Sequence, residues 1–174
     1  MRNTFVFLIL AILLYSCASP STEIISETTM KLTSPAFADK QMIPSEYTCD
    51  GANKIPPLEI AGVPANAKSL ALVTDDPDAP MGTWDHWVVW NIPAATKRID
   101  SEPEGTPGKN SWGKTGYGGP CPPSGTHRYY FKIYALDAVL DLAAGSNKAS
   151  LLSAMKGHIL GEASLMGTYQ KIQR

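Results

Sequence analysis

The spacing of apolar and polar positions changes repeatedly along the chain, and each change marks an element. Residues 30–34 read as a short first strand, and Gln41-Met42-Ile43 starts a second element. Pro56-Pro57-Leu58-Glu59-Ile60 reads as an edge strand, because its prolines cannot donate to a ladder. Ser-Leu-Ala-Leu-Val-Thr at 69–74 is a short apolar run bounded by turns, the mark of a strand buried on both faces. Another strand spans 87–92. From residue 129 the pattern alternates, with Tyr129, Phe131, Ile133 and Ala135 on one face and Tyr130, Lys132 and Tyr134 on the other, as in a half-buried strand. Asn147 is an N-cap for a helix whose Leu151, Leu152, Met155 and Ile159 share a face, with Gly161 as its stop. His158 falls in that helix's last turn, where the C-terminal dipole accounts for it without a ligand role. Residues 163–169 alternate again as a closing strand.

Turn chemistry fills the intervals. Gly and Pro number 14 each, and Tyr47-Thr48-Cys49-Asp50-Gly51 is a turn signal whose Asp-Gly pair suits positive φ. Seven glycines and five prolines crowd residues 101–125, an irregular stretch long enough to suggest binding. The chain has 174 residues, 44% of them hydrophobic, which gives one domain with a real core. Strands joined by structured turns dominate, with one helix near the C-terminus. The net charge of −1 and the lack of a basic block point away from nucleic acid and from an anionic membrane surface.

The N-terminus stands apart from the fold. Arg2 precedes an apolar run of ten, residues 5–14, too short to span a bilayer but suited to a signal-peptide core. Leu14-Tyr15-Ser16-Cys17 then resembles a bacterial lipobox, which implies cleavage before Cys17 and lipidation of its sulfur. On that reading 1–16 is a lipoprotein signal peptide, 17–29 a flexible tether and 30–174 the folded domain. The protein is then expected outside the cytoplasm, anchored to a membrane by lipid. Export would permit Cys49 and Cys121 to pair, although their sequence positions alone do not fix their separation.

Two blocks carry the chemistry. Asp75-Asp76-Pro77-Asp78-Ala79-Pro80 leads into Trp84-Asp85-His86-Trp87, and Gly119-Pro120-Cys121-Pro122-Pro123-Ser124-Gly125-Thr126-His127-Arg128-Tyr129 follows some forty positions later. Both join titratable residues to stiff proline turns that feed strands, so His86 and His127 can share one sheet rim. Two imidazoles with Arg128 and Tyr129 offer donors to an anion's oxygens. Asp76 and Asp78 would repel an anion unless one shares a proton with it or with a histidine, or holds a histidine tautomer and raises its pKa. A zwitterionic ligand would suit both signs. Alternatively, the two aspartates only cap backbone amides in a proline turn.

Other chemistries fit less well. Asp76, Asp78, His86 and His127 are chemically able to hold a divalent ion but lack a tight ligand spacing, so no metal or other cofactor is expected. Gly108-Lys109-Asn110-Ser111-Trp112-Gly113-Lys114-Thr115 matches a phosphate-binding loop letter for letter. However, Gly116-Tyr117-Gly118-Gly119-Pro120 cannot continue it as the required helix. Ser124 lacks a nucleophile elbow and reads as a turn residue.

These residues resemble the phosphatidylethanolamine-binding protein family, also called Raf kinase inhibitor proteins, in its bacterial branch. The resemblance rests on Asp76-Pro77-Asp78-Ala79-Pro80, Trp84-Asp85-His86-Trp87-Val88-Val89-Trp90-Asn91 and Gly119-Pro120-Cys121-Pro122-Pro123-x-Gly125-x-His127-Arg128-Tyr129. It implies an antiparallel β-sandwich of a larger and a smaller sheet with a helix near the C-terminus, and a small pocket for phosphate-like anions. It also implies that Asp76, His86, His127 and Tyr129 contact the anion, that Asp78, Pro80, Trp84, Tyr117 and Pro123 shape its walls, and that the protein forms a homodimer. Asp85 stands where eukaryotic members carry a second histidine, which weakens any transfer of headgroup preference, and kinase regulation is not carried over because an exported lipoprotein would meet no cytoplasmic kinase. The expected function is non-catalytic binding of a small anionic or zwitterionic ligand. The alternatives are an acid–base enzyme (a hydrolase or isomerase) acting on a phospho-compound through Asp76 and His86, and a protein-interaction module such as a protease inhibitor using the 101–125 loop. For the lipid anchor, Cys17→Ala is expected to release the protein from membranes on fractionation; continued anchoring would contradict the lipobox reading.

Overall fold

A computed structural model describes residues 29–171. The expected signal peptide 1–16, Cys17 and the tether up to residue 28 lie outside the described residues. The elements run β1 (Lys31–Thr33), β2 (Leu58–Ala61), β3 (Ser69–Asp76), β4 (Trp84–Pro93), β5 (Arg98–Ile99), β6 (Thr106–Pro107), β7 (Thr126–Leu136), α1 (Lys148–Ala154) and β8 (Ile159–Gln170). They form two antiparallel sheets, β1-β2-β5 and β6-β4-β3-β7-β8. The expected sandwich of a larger and a smaller sheet, with one short helix near the C-terminus, is the architecture observed.

Period-2 alternation explains how the layers meet. Leu70 and Leu72 of β3 join Phe131, Ile133 and Ala135 of β7 in the core that also takes in Leu32, Leu58 and Ile60 of the small sheet. Ala71 and Val73 point the other way, into a second cluster with Val88, Trp90, Leu151 and Met155. Every residue of β3 is therefore buried, as the unbroken apolar run at 69–74 requires. Each large side chain fully buried in this way contributes roughly 1.5–3 kcal/mol.

Several elements depart from the sequence pattern. Residues 41–43 form no strand; they make a single parallel bridge, Met42 to Thr168, that covers part of the β8 edge. β2 is the central strand of its sheet, not an edge, because Pro56 and Pro57 lie before the ladder begins. The helix starts as expected, with Asn147 Oδ1 accepting from Ser150 N at 3.0 Å, but stops at Ala154. Gly157, at φ 81°, breaks it well before Gly161. Ile159, spaced as though helical, instead opens β8 and is exposed. His158 is thus in the connecting turn, where its Nδ1 lies 2.7 Å from Asp137 Oδ1. The Asp50-Gly51 turn places its positive φ at Asn53 (52°) instead.

Gly51 is required for space. A Cβ there would sit 2.2 Å from the Ser45 carbonyl oxygen and 2.8 Å from Glu46 Cα, both backbone atoms. Gly51→Ala is expected to cost about 1–3 kcal/mol in chemical denaturation, the usual range for forced overpacking. An unchanged midpoint would contradict this account of the turn.

Candidate functional site

One irregularity in β4 places the central histidine. Thr74 pairs with Trp87 and Asp75 with Asp85, so His86 is an extra residue with no partner on β3. A bulge of this kind turns two consecutive side chains towards one face. Trp87 stays in the core between the sheets, and His86 joins it on the same side, buried against Tyr129 with ring centroids 5.2 Å apart. The freed backbone of the bulge is caught by the glycine-rich loop. Gly118 N donates to the His86 carbonyl at 3.0 Å, and His86 Nδ1 meets the Gly118 carbonyl at 2.7 Å. A carbonyl only accepts, so this contact places a proton on Nδ1 and leaves Nε2 as the outward nitrogen. Burial lowers the His86 pKa from its ordinary value, opposed by the Gly118 carbonyl and the Asp76 charge.

β3 and β7 supply the acid and the second imidazole. Asp76, at the end of β3, lies 2.8 Å from His127 Nδ1 through Oδ2, and its Oδ1 accepts from Asp78 N at 2.8 Å. It therefore does both things that the sequence left open, capping a turn amide and holding a histidine. Tyr129 lies between the two imidazoles, stacked on His127 at 6.5 Å. Its hydroxyl is buried close to the Asp76 carboxylate yet outside hydrogen-bonding geometry, and burial pushes its pKa up. The acid–base pairing in this structure is Asp76 with His127, not the Asp76–His86 pair of the enzyme alternative.

These groups surround a cavity of about 290 Å³. Asp76, Pro80, Trp84, His86 and Pro123 line it, and Met81, Trp112 and Cys121 complete it. His127 and Tyr129 stand behind Asp76 and His86 and are not part of the lining. Trp84 Nε1 is buried and has no hydrogen-bond partner among the described residues. Asp78 is also off the wall: its carboxylate is gripped by Arg128 through Nε at 2.9 Å, a terminal nitrogen at 2.6 Å and the backbone N–H at 2.9 Å. Tyr117 lies in an adjoining cavity of about 300 Å³, which it lines with Asn53, Asn110 and Lys114 among others, and its hydroxyl donates to the Tyr47 carbonyl. Trp112 and Cys121 belong to both cavities and form the partition.

The loop that completes the site is held at several points. Cys121 and Cys49 form a disulfide with Cα atoms 5.4 Å apart, across 72 residues of sequence. Cys49 N donates to the Pro120 carbonyl, and Gly119 N donates to Asn53 Oδ1. The stretch resembling a phosphate-binding loop closes on itself, with Asn110 Oδ1 accepting from Trp112 N and Lys114 N, and no helix follows. Its tip puts the Trp112 ring 4.9 Å from His86 and 5.5 Å from Trp84.

The opposite face of the same strands carries a charge network that sequence reading missed. Asp75 and Asp85 face each other across β3 and β4, a repulsive arrangement unless a cation intervenes. Lys148 of α1 contacts both carboxylates, and Lys132 reaches both oxygens of Asp75 at 2.8 Å. Only alternation at the strand end hints at this. Asp75 and Asp76 must point to opposite faces, and Lys132 lies on the face away from Tyr129. Gly118 and Trp112 were also missed, since a backbone carbonyl and a loop tip leave no spacing signal.

Known proteins place the chain. The phosphatidylethanolamine-binding protein profile matches residues 33–170. A UPF0098 protein of Methanothermobacter thermautotrophicus is 53% identical over 150 residues, covering 82% of this chain and 99% of its own. The crystal structure of a phosphatidylethanolamine-binding protein homolog from Chlamydia trachomatis superposes with a TM-score of 0.81 at 44% identity, covering 83% of this chain and 99% of that one. E. coli YbcL, described as a member of the mammalian family, gives a TM-score of 0.76 at 30% identity, covering 82% and 99%.

Arg128 holds the Asp78 carboxyl down at about 2, from an ordinary 3.8. A depressed folded-state value stabilises the fold above the unfolded pKa and is lost as pH falls through the folded one. The contribution of Asp78 should therefore fade between about pH 4 and pH 2, and Asp78→Asn should flatten that part of the acid-unfolding curve. An NMR titration placing the Asp78 midpoint near 4 would contradict the pairing.

Proposed function

The chain belongs to the phosphatidylethanolamine-binding protein family, and from that premise we propose that it is a non-catalytic binding protein for a small phosphate-like anion held beside His86. The observation that carries this reading is the bulge, which turns a buried imidazole, clasped at Nδ1, towards a cavity that Asp76 and Trp84 also line. Its Nε2 is left to face a guest. His127 acts through Asp76, fixing the carboxylate that bounds the guest's other side. Tyr129 backs both rings. Pro80 and Pro123 give the cavity stiff walls, so little ordering remains to be done on binding.

The Cys49–Cys121 disulfide supports an oxidising, extracytoplasmic compartment. The lipobox at Leu14-Tyr15-Ser16-Cys17 supports a lipid tether on the membrane surface. Among the described residues no helix is long and apolar enough to cross a membrane. The pocket then works beside a bilayer, where phosphorylated headgroups and their soluble fragments share the same chemistry. We also expect a homodimer in solution, as the family resemblance implies.

Phosphate or phosphoethanolamine at millimolar concentration is expected to raise the melting temperature by mass action, since either binds the folded chain alone. His86→Ala should weaken binding about tenfold or more, as loss of one hydrogen bond to a charged group does, and His127→Ala should weaken it by releasing the Asp76 carboxylate, with the far-ultraviolet spectrum unchanged in both. Wild-type affinity in both variants would remove the site.

A further inference from the structure

The proposed pocket has an unusual charge inventory for an anion site. Among the described residues, no lysine or arginine lines it. Arg128 is committed to Asp78, and Lys132 and Lys148 are held on the opposite face by Asp75 and Asp85. On the wall itself stands a buried carboxylate, Asp76. The imidazole offers no remedy in its resting form. With Nδ1–H spent on the Gly118 carbonyl, Nε2 presents a lone pair to any guest.

A fully dissociated oxyanion would thus face a carboxylate and a lone pair, and both repel it. A guest that carries one proton reverses the second contact, because its O–H donates to Nε2. The same balance results if the proton sits on His86: N–H then donates and the dianion accepts. Either way one proton enters with the guest.

Resting on the binding reading above, we propose that this pocket takes its oxyanion only together with a proton, and so selects phosphate monoesters over sulfate. A phosphate monoester has a second pKa of about 6 and carries the proton itself near neutrality. Sulfate is a dianion throughout that range and must draw the proton onto the protein. The groups facing His86 all bear on this. The Gly118 carbonyl favours the added proton most, followed by Asp76 of β3 with His127 behind it, the Gly119 backbone, and Asp75 from the far face. Burial against Tyr129 and Trp112 opposes it while the cavity lacks a guest. Since the bound state holds more protons than the free state, affinity must rise as pH falls.

Isothermal titration of the full chain with methyl phosphate and with sodium sulfate, at pH 6 and pH 8 in two buffers of different ionisation enthalpy, reads both quantities. The expected result is at least about tenfold preference for methyl phosphate at pH 6, and uptake of about one proton per methyl phosphate bound at pH 8. Imidazole nitrogen NMR should show His86 Nε2 unprotonated in the free protein and proton-bearing or proton-sharing in the complex. Equal affinity for sulfate at pH 6, or methyl phosphate binding at pH 8 without proton uptake, would overturn the selection while leaving the pocket in place. Failure of both anions to bind at either pH would overturn the binding reading and this inference with it.

Discussion

One extra residue in β4 decides where the site lies. Without the bulge at His86, strict alternation from Trp87 would send that ring to the far side of the sheet, into the layer beneath α1. With it, His86 and Trp87 share the inner face, and the backbone that loses its ladder partner bonds to Gly118 instead. The bulge and the glycine-rich loop therefore depend on each other. The loop satisfies the bulge's orphaned carbonyl, and the bulge gives the loop a fixed point to close on. The disulfide at Cys121 and the Asn53–Gly119 bond hold the same loop from its other side. Four consecutive residues of this irregular wall, Gly118, Gly119, Pro120 and Cys121, are each tied to a partner outside the loop.

The two faces of β3 divide the electrostatic labour. Asp75 and Asp76 are neighbours in sequence with opposite duties. Asp75 is neutralised by Lys132 and Lys148 and ties α1 to the large sheet. Asp76 is matched only by an imidazole and a backbone amide, which leaves it next to an open cavity. Keeping the lysines on the far face allows a buried strand end to hold two carboxylates without making the pocket strongly positive. Under the reading proposed above, affinity for an anion then turns on protons and not on fixed cations.

Much of this was legible in the residues, for identifiable reasons. The apolar run at 69–74 reported a doubly covered strand, and the alternation from Tyr129 reported which side of β7 is inward. The proline turns marked the strands that follow them, although β4 and β7 each begin three residues earlier than read, at Trp84 and Thr126. Misreadings came where spacing is ambiguous. Ile159 lies four residues after Met155 and mimics a helical face, yet Gly157 at positive φ turns the chain into β8 between them. Pro56 and Pro57 suggested an edge because they were counted inside the strand. Bulges leave no periodic trace at all, so His86 read simply as the residue before a strand. Asp78 and Tyr117 looked like wall residues because they sit in the right motifs, but Arg128 and the Tyr47 carbonyl claim them.

The central claim is geometric: a buried imidazole and an acid from separate strands bound one cavity able to hold a small oxyanion. A crystal structure of the protein grown in concentrated phosphate tests it most directly. Tetrahedral density within hydrogen-bonding distance of His86 Nε2 and beside Asp76 is the predicted result. Phosphate ordered elsewhere, with only water in the cavity between Trp84, His86 and Pro123, would contradict it.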